Sequence, residues 1–132
     1  MRNLALAITV MALCTGLGAG PALADDASSA ERAGMGDFDA TGTIPCAQHA
    51  GQPTAPCAFG VARESGGSAT VVVTRPDGIT RALFFIDGEF LSADTSQADG
   101  YPEYDATKEA DLFFVRVGEE RYEIPDAVIF GG

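Results

Sequence analysis

From Asp37 onward the apolar residues recur at every second position, a spacing that predicts strands rather than helices. Phe38, Ala40, Gly42, Ile44 and Cys46 share one face of the first strand, and Asp37, Asp39, Thr41 and Thr43 share the other. Beyond a proline-rich loop over 47–56, Cys57, Phe59 and Val61 alternate with Ala58, Gly60 and Ala62. One face of that strand is bulky, and the other is small enough for a second backbone to approach closely. Ser65-Gly66-Gly67-Ser68 reads as a turn, Ala69 to Thr74 as a β-branched strand, and Pro76-Asp77-Gly78 as the next turn. Ile79 to Ile86 returns as a strand with Ala82, Phe84 and Ile86 aligned. Asp87-Gly88 suits a type I′ hairpin into Glu89 to Ala93. Residues 94–110 have no clear period and read as a long loop containing one short strand. Asp111 to Val117 and Arg121 to Ile124 flank Gly118-Glu119-Glu120 as a last hairpin, with Phe113, Val115 and Val117 on one face. Pro125 ends it, and Val128, Ile129 and Phe130 cover the edge of the core. With no helical period after Pro21 and no internal repeat, the expected fold is all-β: a small antiparallel meander of seven or eight short strands, closed into a barrel or folded as a sandwich.

The first residues follow a different logic. Arg2, the uncharged apolar stretch from Leu4 to Ala19 and the small-residue site Ala22-Leu23-Ala24 match the three regions of a cleavable signal peptide. Gly16, Gly18, Gly20 and Pro21 cut the apolar run short of the roughly 20 residues that a spanning helix needs. Leu13 before Cys14 does not suit a lipoprotein signal. The expected organisation is a signal peptide over 1–24, a flexible, polar leader over 25–36 and a single β domain over 37–132. The mature protein is expected in the periplasm or secreted, with no membrane insertion after cleavage.

Cleavage leaves 7 Lys and Arg against 19 Asp and Glu, a formal net charge of −12. That excess argues against nucleic acid and anionic lipid, which are bound by clustered basic residues. On one reading it keeps a small exported monomer soluble, and on the other it steers a basic protein partner. Cys14 leaves with the signal, so Cys46 and Cys57 remain as an even pair in an oxidising space, and a disulfide is expected.

Candidate chemistry is sparse. Cys46-x2-His49-x7-Cys57 offers three metal ligands, but a structural zinc site wants four and a disulfide removes two. Asp37, Asp39 and Gly42 imitate the start of a calcium loop, yet Gln48 stands where a bidentate glutamate is required. No metal and no cofactor are therefore expected. There is no nucleophile elbow, zinc-protease motif or phosphate loop. The carboxylate pairs Asp94/Asp99 and Glu119/Glu120 read as solvated loop charges. Tyr101, Tyr104 and Lys108 are the binding candidates, because aromatics beside a cation in a polar loop have the composition of interface anchors. The competing reading has both tyrosines covering an open end of the fold with wet hydroxyls.

Two resemblances accompany these residues. Cys57-Ala-Phe-Gly-Val-Ala-Arg63, together with Gly118-Glu-Glu-Arg-Tyr-Glu-Ile-Pro-Asp-Ala-Val-Ile-Phe-Gly-Gly132, resembles a family of small, uncharacterised exported proteins of Gram-negative bacteria, and implies no activity. Tyr104-Asp-Ala-Thr107-Lys108-Glu109 before Leu112-Phe113-Phe114 is similar to an element of the periplasmic inhibitors of c-type lysozyme. Those inhibitors are small acidic β-barrels with a disulfide. Here the spacing is one residue short, Glu109 replaces a glycine, and the companion Ser-Gly-x2-Tyr element is missing. That resemblance implies that Lys108 enters an enzyme's cleft. The expected function is a non-enzymatic binding module, with inhibition of a basic lysozyme or a small hydrolase as alternatives.

Overall fold

The computed structural model describes residues 27–131. The expected signal peptide and the first two residues of the expected leader lie outside the described residues. Eight strands run in chain order among those that are described: β1 (Ala40–Ala47), β2 (Ala55–Arg63), β3 (Ala69–Thr74), β4 (Thr80–Ile86), β5 (Glu89–Ala93), β6 (Tyr104–Glu109), β7 (Leu112–Val117) and β8 (Glu120–Pro125). A 3-10 turn over Gln97–Asp99 precedes β6, and two short helices, α1 (Ser29–Gly34) and α2 (Asp126–Phe130), flank the strands.

Every strand pairs antiparallel with its neighbours in one sheet of order β5-β4-β3-β2-β1-β8-β7-β6. Since β1 meets β8, through Cys46↔Tyr122 and Ala47↔Arg121, the sheet curls into a nearly closed barrel rather than a sandwich. The ring stays open between β5 and β6. Val61, Val71, Val73, Leu83, Val115 and Ile124 fill the interior and are shut off from solvent. Ile129 of α2 plugs one end. Arg63 holds that helix by donating from Nε to the Val128 carbonyl at 2.9 Å. Gly67 lies beneath the Phe130 ring, where a Cβ would meet the ring at 2.7 Å. The bridge between Cys46 and Cys57 spans 5.8 Å between Cα atoms and is buried in the core, consistent with an oxidising, exported compartment.

Pro45 and Pro56 face each other in the β1–β2 ladder. Neither can donate, so the pair is tolerated only where no ladder bond is required. The β8 ladder begins one residue after Pro45, and the β3 ladder stops at Phe59.

Two expectations need correction. No helical period is expected after Pro21, yet Ser29–Gly34 form α1: Ser28 caps it by accepting from the Glu31 amide at 3.1 Å, and Ser29 and Ala33 are buried. Ser29 meets the Thr70 hydroxyl at 2.9 Å, and Arg32 pairs with Asp39 at 2.6 Å and with Asp37 at 3.1 Å. The helix rests on the outer surface of β2 and β3, where Ala62 and Gly60 leave room for it and for the Phe38 ring. Phe38 thus lies outside the barrel, because β1 begins only at Ala40. In β4, Ala82, Phe84 and Ile86 are aligned as expected, but on the outer face; the inward residues are Arg81, Leu83 and Phe85. Both faces of that strand are apolar enough to be read as core, and its pairing with β3 decides between them.

Candidate functional site

The opening between β5 and β6 is the first place where the fold could receive something. Two strands that end a sheet carry unpaired main-chain groups. Aromatic rings bridge these two instead: Phe90 of β5 packs edge-on against Tyr104 of β6 at 6.1 Å between centroids. The row continues inward from Phe90 to Phe85 at 5.6 Å and from Phe85 to Phe113 at 5.1 Å. Beside it lies a groove of about 470 Å³, lined by Glu89, Phe90, Ala106, Lys108, Phe113 and Phe130 among others.

The register of β6 accounts for these positions. Tyr104, Ala106 and Lys108 stand opposite Val117, Val115 and Phe113, all three of which are buried, so they share the inward face. At the open seam that face meets solvent, and the Tyr104 side chain remains 42% exposed. The Lys108 ammonium sits 4.9 Å from the centre of the Phe113 ring and 3.5 Å from Asp126. Its stem therefore forms a wall of the groove. Asp87 and Glu89, exposed on the opposite rim, make the mouth acidic.

The other end of the barrel is closed by charge. Arg81 is only 3% exposed, although it projects inward from β4. Its guanidinium donates to both Glu120 oxygens, at 3.0 and 2.8 Å, and to Asp99 at 3.1 Å. Arg75 approaches Glu120 at 3.2 Å, and the Tyr122 hydroxyl donates to the same carboxylate at 2.5 Å. Burial pushes the Glu120 carboxyl up, but hydrogen bonds from Arg81 and Tyr122 outweigh burial and hold it below the ordinary range. Burial and the hydrogen bond to Glu120 raise the Tyr122 phenol far above its ordinary value. Burial raises the Asp94 carboxyl, with Ala82 and Arg81 working against it. Glu120 is thus fixed as an anion and Tyr122 as a neutral phenol, an arrangement that suits a strut better than proton transfer.

The sequence candidates separate in space. Tyr104 and Lys108 come together, on a strand rather than in the expected loop. Tyr101 stands apart at the end of the 3-10 turn, 67% exposed and with a positive φ of 47°. Glu119 is the exposed turn residue that the sequence suggests, 3.8 Å from His49. Glu120 is not a solvated loop charge. The turn closes with Gly118 and Glu119 alone, so Glu120 begins β8 and faces inward. Sequence reasoning missed the Arg81–Glu120 pair and the two phenylalanines, Phe90 and Phe130, that shape the groove. A basic residue on an apolar strand was the available signal for Arg81. Cys46 and Cys57 are both in the bridge, which removes two of the three ligands of the Cys46/His49/Cys57 set. No helix among the described residues is long and apolar enough to cross a membrane. Comparison of the chain with protein-family models, curated proteins and solved structures finds no match.

Proposed function

We propose that the protein is an exported, non-enzymatic binding module of the periplasm that engages a basic protein at the groove between β5 and β6. The observation that carries this reading is the open seam itself: an aromatic row and an acidic rim meet where the barrel has no ladder. Aromatic anchors supply most of the energy at interfaces, while rim charges mainly set the encounter rate. The formal charge of −11 on the whole chain, −12 after cleavage, favours a cationic partner. The inhibitor alternative asks Lys108 to project into an enzyme's cleft, whereas its ammonium is occupied by Phe113 and Asp126. For the hydrolase alternative, Asp99 and Glu120 are held by Arg81, so Asp94, whose carboxyl burial raises, is the member of this cluster that would have to exchange a proton.

The test is paired. Association with a basic partner recovered from an envelope extract should slow steeply as salt rises, since the screening length is about 8 Å at physiological ionic strength. Tyr104→Ala and Lys108→Ala should raise its dissociation rate roughly tenfold, the scale of an anchor contact. Unchanged dissociation in both variants would remove the seam as the site. Inhibition of a c-type lysozyme that Lys108→Ala abolishes would favour the alternative instead.

A further inference from the structure

The main chain of β6 specifies how a partner would be held, an inference that rests on the seam reading above. Glu109 and Leu112 flank the two-residue turn Ala110-Asp111, and Gly118 donates its amide to the Glu103 carbonyl at 2.7 Å. Hydrogen-bonded pairs alternate along an antiparallel ladder. Glu103, Asp105, Thr107 and Glu109 therefore turn their main-chain groups toward β7. Tyr104, Ala106 and Lys108 turn theirs toward the seam, where no strand among the described residues pairs with them. These are also the residues whose side chains line the aromatic groove.

β6 and β5 differ as templates. β5 has five residues, and a register shift between Phe84 and Phe85 makes Leu91 an extra, unpaired residue. Such a bulge blunts an edge. β6 has six residues, pairs with β7 without a shift and contains no proline.

We propose that β6 recognises an extended segment of the partner by antiparallel strand addition, and that the segment alternates apolar and basic residues. Residues opposite Tyr104, Ala106 and Lys108 place their side chains in the groove between Phe90, Phe113 and Phe130, which takes apolar groups. Residues between them face outward beside exposed Glu109, which takes a cation, and beside Asp105, where the incoming cation competes with Arg116 of β7 at 3.5 Å. The same register sets both preferences, because a strand alternates its faces.

The probe is a synthetic seven-residue peptide alternating Lys and Val, added to protein produced from the full chain. Binding should protect the Tyr104, Ala106 and Lys108 amides from hydrogen exchange by at least about tenfold. N-methylating the Val nitrogens, which face β6, should abolish binding. N-methylating the Lys nitrogens, which face away, should weaken it far less. A peptide alternating Glu and Val should bind at least about tenfold more weakly. Ala106→Pro should also lose the Lys/Val peptide, since it deletes a seam donor without taking a ladder bond. Should that variant fold poorly, the peptide series still decides, because it leaves the protein unchanged. Equal binding of the two N-methylated peptides overturns strand addition while leaving the groove as a binding site. Failure of the Lys/Val peptide to bind, or equal binding by the Glu/Val peptide, overturns the proposed register and its charge preference. Salt-independent association of a captured protein would instead count against the broader reading.

Discussion

Glu120 joins residues that are far apart in the chain. It accepts from Arg81, 39 positions away, and from Tyr122, and it lies 3.2 Å from Arg75. Exchanging it for Gln keeps the shape but removes the charge that two buried or nearly buried guanidiniums face. Breaking one side of a buried ion pair costs about 3 kcal/mol. Urea denaturation of Glu120→Gln should show a lower midpoint with an unchanged slope. Glu119→Gln, made at an exposed neighbour, should leave the midpoint where it was.

At the level of elements, α1 is held by one buried polar contact and by two surface ion pairs, from Arg32 to Asp37 and to Asp39. Its six residues are too few to be helical alone, so packing on β2 and β3 must supply its stability. Thr70→Val should remove the partner of the buried Ser29 hydroxyl and cost about 1 to 2 kcal/mol. Exchange at the α1 amides should accelerate more than exchange in the barrel strands. Equal acceleration everywhere would mean that the helix opens only with the barrel. The sequence did contain a signal for α1: Ser28-x2-Glu31 is the spacing of an N-terminal cap, but no apolar period supports it. Gly60 and Ala62 were legible as a surface open to close approach. Which segment would occupy that surface was not.

For the whole molecule, the disulfide and the ionised carboxylates set the limits of stability. The Cys46–Cys57 bridge closes a short loop, with a sequence separation of 11, and contributes about 3 kcal/mol by restricting the unfolded chain. A Cys46→Ser, Cys57→Ser double variant should unfold at correspondingly lower urea, and reduction of the parent protein should match it. Acid acts through the carboxylates. Hydrogen bonds from Arg32 hold Asp39 down to about 2, and Asp77, Asp99 and Glu120 also lie below their ordinary values. Each binds fewer protons folded than unfolded, so its contribution is present above the ordinary values of 3.8 for Asp and 4.5 for Glu. That contribution is lost as pH falls toward the folded values. Asp94, raised by burial, works in the opposite direction. With four lowered groups against one raised, stability should decline as pH drops from about 4.5 to 2, as read from urea midpoints at stepped pH. A midpoint that rises across that window would show that Asp94 dominates.

The order of strands and turns was already present in the chain. Period-two patterning, Asp87-Gly88, Pro76-Asp77-Gly78 and the Gly118 turn are local signals, and each marks a turn that the barrel uses. The inward face of β2 was readable for the same reason, since only one of its sides is bulky, and that of β7 was read from the run Phe113, Val115 and Val117, although Leu112 and Phe114 stand on its other side. The inward face of β4 was not: Arg81 becomes an interior residue only once β8 brings Glu120 opposite it. The place where the ring opens was equally hidden. A plain meander predicts neighbours in sequence, but closure pairs β1 with β8 and leaves β5 and β6 unpaired across the ten residues 94–103. Short turns enforce pairing through chain connectivity, whereas a longer link leaves it to side-chain packing and distant hydrogen bonds. Local sequence therefore determined the strands, their turns and the bridge. Tertiary structure alone decided which charges are buried and where the ring stays open, because both depend on residues that meet only after the sheet has closed.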